Sequence, residues 1–220
     1  MAIVQNTLIG RSKGRVGNAV FTTWKGRNVL KQKPEIVTNP RSALQQQQRS
    51  KFTTLMAIGK SLRPVLQLGF KEYAGTVSWL NRFISTNTGS GLLDWDEVFS
   101  VWKTDFKNLV ISEGSLHPTF VNVDSVEAGV IVDGVPMTDV VLAWDMTPIS
   151  NQSVDDSLIV TVMSGGSTVY SIRKVARGAG GTTIEIKDRP FSSTDQIYVS
   201  AFFISVDGRI VSGNSTVSNV

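Results

Sequence analysis

The side chains able to do chemistry in this 220-residue chain are few, and their spacing supports little of it. The absence of Cys removes thiolate zinc sites, iron–sulfur clusters, disulfide frameworks and cysteine nucleophiles, and the one His leaves almost no imidazole chemistry. That residue, His117, precedes Pro118 with no second imidazole nearby and is expected as a solvated loop residue. Gly10, Gly14 and Gly17 interleave with Arg11, Lys13 and Arg15, a mixture that suits phosphate. A phosphate loop, however, needs Gly-Lys-Ser/Thr opening a helix, and here Gly14 is followed by Arg15-Val16. Ser100-x-x-Lys103 and Ser171-x-x-Lys174 lack the companion motifs of an acyl-transfer site. Asp94, Asp96 and Glu97, like the pair Asp155 and Asp156, lack the spaced acids and closing Glu of a calcium loop and are read as caps and turns. Asn151-Gln-Ser153 and Asn214-Ser-Thr216 match glycosylation acceptors, but the start MAIVQNTLIG has no signal-peptide character, so export is not expected. The expectation is a protein without enzymatic activity, cofactor, metal or small-molecule substrate.

Charge is distributed unevenly. Residues 1–75 hold thirteen Lys or Arg against Glu35 and Glu72, whereas the remaining 145 residues hold nine basic and sixteen acidic side chains. Such a division speaks of partners and association, because long-range fields steer binding without choosing a fold. The basic part calls for an anionic neighbour: nucleic acid, an acidic protein surface, or the acidic part of another copy. With 41% hydrophobic and 18% charged residues the chain should bury a real core. Its longest uncharged run, residues 157–172, is interrupted by Gly165-Gly166, so no membrane span is expected.

These residues must be positioned by two kinds of element. VGNAVFTTWKGRNVLKQK, residues 16–33, has two β-prone runs around Lys25-Gly26-Arg27-Asn28 and predicts a hairpin. Alternation puts Val20, Thr22 and Trp24 on one face and Ala19, Phe21 and Thr23 on the other. After an extended connector between Pro34 and Pro40, Ser42 is expected to cap a helix to about Lys60, with Leu44, Phe52, Leu55, Met56 and Gly59 near helical spacing. Short helices are predicted for LRPVLQLGF, for residues 77–85, and for residues 95–102 behind an Asp94 cap.

From Phe106 onward the period changes to two. The expected strands are FKNLVIS, PTFVNV, AGVIVD, DVVLAW, SLIVTVM, TVYSIRK, TTIEIK, QIYVSAFFISV and RIVS, with turns such as Asp133-Gly134, Gly165-Gly166 and Asp207-Gly208. Short strands at this spacing predict a sandwich whose inner faces carry Val140, Leu142 and Trp144 on one side and Ile197, Val199, Ala201 and Phe203 on the other. Without a Cys pair, the likeness is to the fibronectin type of immunoglobulin-like fold. The fold class is therefore an α+β region, hairpin plus short helices, over residues 1–104, followed by an all-β sandwich over residues 105–220.

Ile9-Gly10-Arg11, Gly17-Asn18-Ala19-Val20-Phe21, Trp24-Lys25-Gly26 and the stretch from Asn39-Pro40-Arg41 to Arg49-Ser50 carry a family resemblance that runs nearly end to end. The chain resembles an uncharacterised family of Bacteroidota and their phages, a domain of unknown function. It departs from that pattern by a longer stretch around Asn87–Asp96. Related Asn-Pro-Arg segments occur in small proteins encoded among phage structural genes, so the resemblance implies a virion setting: synthesis in a bacterial host cytoplasm and partners that are other virion proteins and further copies of the chain. The function expected is a structural component of a tailed-phage particle, in its ring, neck, tail or capsid. Arg11, Lys13, Arg15, Lys25, Arg27, Lys31, Lys33 and Arg41 would supply electrostatic docking, with Phe21 and Trp24 as anchors. The alternative is a nucleic-acid-binding protein in which the same cations track phosphates and the aromatics stack on bases.

Overall fold

The computed structural model describes residues 2–4, 13–24, 26–36, 39, 41–132, 135–164, 167–169, 175–187 and 196–218. It has a few helices and many antiparallel strands in several sheets, and is mostly β. The chain forms two compact units, residues 1–45 and 46–220.

In the first unit β1 (Ala2–Val4), β2 (Gly14–Val16), β3 (Ala19–Trp24) and β4 (Arg27–Gln32) form an antiparallel sheet in the order β1-β4-β3-β2. The expected hairpin is β3–β4, paired from Ala19 opposite Gln32 to Trp24 opposite Arg27. Its turn includes Gly26 at φ 76°, a left-handed conformation that glycine adopts without a Cβ penalty.

Most of α1 (Ala43–Ser61) belongs to the second unit; at its start the Ser42 hydroxyl accepts from the Gln45 amide at 3.4 Å. α2 (Arg63–Gly69) starts with Pro64 in its first turn, and α3 (Trp79–Asn87) is capped by Ser78, whose Oγ accepts from the Asn81 amide. Gly69 is obligatory for packing rather than for φ: a Cβ there would stand 2.1 Å from the Ile111 carbonyl oxygen. The helix expected over residues 95–102 is a hairpin instead, β5 (Leu93–Asp96) with β6 (Val101–Thr104). Asp96 turns the chain by accepting from the amides of Val98 at 2.9 Å and Phe99 at 3.1 Å, and Ser100 is left-handed at φ 53°. Trp95 and Trp102 then meet edge to face across the pair.

FKNLVIS does not form a strand. Phe106–Asn108 is a single 3-10 turn, and the extended residues after it bond to two asparagine side chains. Asn87 serves Val110 on both backbone groups, and Asn214 accepts from the Ile111 amide while donating to the Leu109 carbonyl. Backbone satisfied this way needs no ladder. PTFVNV and AGVIVD merge into one strand, β7 (Val121–Val132), which pairs with β8 (Val135–Trp144) through two bulges; the Asp133-Gly134 turn between them lies outside the described residues.

β9 (Ser157–Ser164), β10 (Ser167–Val169), β11 (Val175–Ala176), β12 (Gly181–Lys187), β13 (Ile197–Ile204) and β14 (Ser215–Ser218) complete two sheets. One has the order β12-β8-β7; the other is β10-β9-β13-β14, with β11 also on β9. RIVS contributes isolated bridges, Ile204 with Val211 and Leu116 with Ser212. Gly165-Gly166 and residues 170–174 of TVYSIRK lie outside the described residues.

All eight residues of β13 are buried. Ile197, Val199, Ala201 and Phe203 join Val140, Leu142, Trp144, Leu158, Val160 and Val162 in a core shared by the two sheets, as the alternation predicts. The intervening Tyr198, Phe202 and Ile204 join Ile159 and Met163 in a second core with Leu55, Leu62, Val65, Leu66, Phe70 and Phe83 of the helical segment. The helical segment thus shares a core with β9 and β13, so residues 46–104 group with the C-terminal strands and not with the hairpin, across the expected division at residue 104.

Polar ties hold the same seam. Glu113 accepts from Arg82 Nε at 3.0 Å and from Tyr73 Oη at 3.2 Å, and Arg82 lies 4.2 Å over the Tyr73 ring. Burial pushes the Glu113 carboxyl up, but the Arg82 guanidinium, with Tyr73 and Thr86, overrides it and holds the group below its ordinary value. Glu72 accepts from the Val211 amide at 2.7 Å and from the Ser115 amide at 3.0 Å. At the far end of the two-sheet core, Arg177 is fully buried, its guanidinium 3.9 Å from the Phe203 ring and 3.7 Å from Asp156.

Candidate interaction face of the N-terminal sheet

Strand register decides which of the candidate residues come together. In β3 the side chains of Val20, Thr22 and Trp24 share a face, and pairing extends it to Lys31, Val29 and Arg27 of β4 and to Arg15 of β2. Arg15, Val20 and Lys31 form one row across three strands, and Trp24 stands opposite Arg27. The other face carries Phe21, Leu30, Ala19, Thr23 and Val16 and no ionisable side chain among these residues. The sheet is therefore two-sided, one face cationic around a tryptophan and one uncharged among these residues, with Asn28 and Gln32 beside Phe21 and Leu30.

On the cationic face Trp24 is 63% exposed, and Arg15, Arg27 and Lys31 are exposed as well. Arg15 Nε donates to the Gly17 carbonyl at 2.8 Å, which leans the guanidinium along the β2–β3 turn. Val29 is the buried residue of this sheet among those with described side chains. Lys13 precedes β2 and is exposed. Lys33 follows β4, also exposed, with its amide donating to the Asn18 carbonyl at 2.8 Å to close the open end of the hairpin. Arg41 is exposed just ahead of the Ser42 cap. Arg11 and Lys25 lie outside the described residues.

The structure thus brings Arg15, Arg27, Lys31 and Trp24 onto one surface and puts Phe21 on the reverse. Such a surface suits a flat anionic partner, with arginines able to make bidentate contacts to carboxylate or phosphate and an aromatic plate between them.

The other motifs resolve into structural duties. His117 is exposed, its Nδ1 2.9 Å from the Pro118 carbonyl, and no cluster of three metal-ligating side chains occurs among the described residues. Asp156 accepts from the Ser153 amide at 2.7 Å as a turn carboxylate, and Asn151 ties Ser115 to His117. Lys103 pairs with Asp96 at 2.6 Å, while Ser171-x-x-Lys174 falls outside the described residues. One feature escaped the sequence: Phe52 and Met56, at core spacing on α1, instead line a groove of about 600 Å³ with Asn81, Ile84, Ser85 and Thr88. Helical periodicity gives the face but not whether a neighbour covers it.

No helix among the described residues is long and apolar enough to cross a membrane. No curated protein and no solved structure matches the chain. A family model does match, over residues 11–218, and its span takes in the cationic face, the helices and both C-terminal sheets. The chain belongs to that family, described as a family of unknown function (DUF6266).

Proposed function

We propose that this protein is a non-enzymatic structural component of a tailed-phage particle, a ring, neck, tail or capsid-associated protein, that assembles through the cationic face of its N-terminal sheet. In this reading the C-terminal sheets form a fibronectin/immunoglobulin-like sandwich presented to neighbouring copies, with Trp144 as its core tryptophan, edge-on to Phe203 at 6.1 Å. The observation that carries the proposal is the gathering of Arg15, Arg27 and Lys31 around an exposed Trp24 on a sheet with little buried surface of its own. Trp and Arg are the side chains that most often anchor protein interfaces, and a small sheet of this kind gains stability from being covered. Light scattering of the full chain at low salt and in about 1 M salt, where the Debye length is about 3 Å, tests it. Association at low salt that is lost in high salt and in Arg15→Glu/Lys31→Glu supports it; association untouched by that substitution sinks it.

The second reading, nucleic-acid binding by the same face, is favoured by the exposed indole beside Arg27, a pairing that stacks well on bases. A DNA titration separates the two. A log–log salt slope of roughly −2 to −3, one unit for each lost phosphate contact, would favour nucleic acid over protein docking.

A further inference from the structure

The partner of the cationic face can be sought in the chain's own charge pattern. Residues 108–172 contain eight acidic side chains and no Lys or Arg. Six of them, Asp124, Glu127, Asp139, Asp145, Asp155 and Asp156, come from β7, β8 and the connection to β9.

Register brings part of this charge onto one surface. Glu127 of β7 lies opposite Asp139 of β8, and Asp139 lies opposite Glu185 of β12, so three carboxylates form a single row across the three-stranded sheet. The preceding row, Val126, Val140 and Ile184, points into the two-sheet core, which sends the acidic row to the outer face. Asp124 sits exposed in the bulge between Val123 and Ser125.

Like charges directly opposite on adjacent strands repel, and cations placed beside them offset that repulsion. Asp139 stands at the centre of the row, its Oδ1 buried and without a hydrogen-bond partner among the described residues. Cations docking over the row are met by the carboxylates on either side of it.

The spacing of the two faces agrees. Arg15 and Lys31 are separated by two inter-strand steps with Val20 between them; Glu127 and Glu185 are separated by two steps with Asp139 between them. Each span is about 10 Å, because both are set by the same ladder repeat. Two sheets stacked face to face can therefore place a cation over each outer carboxylate, with Trp24 and Arg27 extending the contact along the strands.

We infer that the cationic face of the N-terminal sheet docks on the outer face of the β12-β8-β7 sheet of a second copy of this chain. The contact uses a different surface on each partner, so it is heterologous and repeats from copy to copy, closing into a ring or running on as a filament. The inference rests on the reading of the cationic face as a docking surface and names what it docks on.

Charge reversal in the full chain tests it by light scattering at low salt. The wild type should associate. Arg15→Glu/Lys31→Glu and Glu127→Lys/Glu185→Lys should each be monomeric, and the chain carrying all four substitutions should associate again, because the facing pairs have exchanged signs. The milder Glu127→Gln/Glu185→Gln should weaken association on the order of tenfold, with a melting temperature no lower than wild type, since a like-charge row has been relaxed. The inference is overturned if the wild type is a monomer at every salt concentration, if the acidic-face variants associate like wild type, or if the fourfold exchange fails to restore association. Loss of association in Arg15→Glu/Lys31→Glu alone would keep the docking role of the cationic face and discard this partner; no loss there would discard both.

Discussion

The N-terminal sheet and the sheet built around β13 are both antiparallel, yet they are stabilised in different ways. Every residue of β13 is buried, one face against the β12-β8-β7 sheet and the other against the helical segment. In the N-terminal sheet Val29 is the buried position among those with described side chains, and Trp24 and Val16 are largely exposed. The β13 sheet is finished by its own chain. The N-terminal sheet keeps most of its described side chains at least partly exposed, and the difference teaches why the proposed docking role falls to it and not to the β13 sheet.

The sharpest way to break this comparison is to remove a large side chain from each. Phe203→Ala should cost about 3–5 kcal/mol and lower the melting temperature by roughly 10 °C, whereas Val29→Ala should cost about 1 kcal/mol or less, both read by thermal unfolding of the full chain. Comparable losses would refute the division into scaffold and docking sheet.

Asp156→Ala tests whether the buried ion pair belongs to the scaffold. It leaves the Arg177 guanidinium uncompensated, and its Nε and Nη2 already lack hydrogen-bond partners, so the cost should be about 3 kcal/mol or more by denaturant titration. Adding Arg177→Met to that variant should recover part of the loss, because the two groups share one interaction. An additive double variant would show that Arg177 stabilises through its other contacts, the stacking on Phe203 and the bond to Thr119, and not through Asp156.

A smaller effect is expected at the helical seam. The folded Glu113 carboxyl titrates below its ordinary value of about 4.3, so its contribution is fully present above that value and is lost as pH falls through the lower folded one. Melting curves of Glu113→Gln and wild type should differ at neutral pH and converge in acid, below the ordinary carboxylate range. Curves that stay parallel across that range would show the carboxylate to be idle. Smallest of all is Trp24→Ala, within about 0.5 kcal/mol of wild type in stability, as expected of a surface position. Its effect should appear in association instead.

Much of the architecture was legible because alternation reports burial directly. Val140, Leu142, Trp144, Ile197, Val199, Ala201 and Phe203 were placed in one core from period two alone, and that is where they are. Ser42 and Pro64 marked helix starts through the cap and first-turn chemistry they supply. Residues 95–102 failed for a local reason: Asp96 can cap a helix or close an Asx turn, and only its partners Val98 and Phe99, with Ser100 left-handed, settle which. The segment Leu109–Ser112 looked like a strand because it is extended and apolar, but Asn87 and Asn214 take its hydrogen bonds, and nothing in its own residues announces that.

The cations of the candidate face were legible as a cluster in sequence, and alternation already separated Phe21 from Trp24. What sequence lacked was cross-strand register, which brings Arg15 beside Val20 and Lys31. The acidic row was invisible for the same reason, since Glu127, Asp139 and Glu185 are far apart along the chain and meet only through the β7-β8-β12 ladder.

The central position of β13 has a consequence for synthesis. The helical segment ends at Asn87, but the strand that covers it is complete only at Ile204. At about 5–20 residues per second, roughly 6–23 s separate the emergence of the two from the ribosome. During that interval Leu55, Leu66, Phe70 and Phe83 have no β13 to pack against, and β8 lacks its facing sheet as well. Folding of the second unit must therefore wait until nearly the whole chain has been made, and conditions that slow translation will lengthen the time in which its apolar faces are open to chaperones or to aggregation.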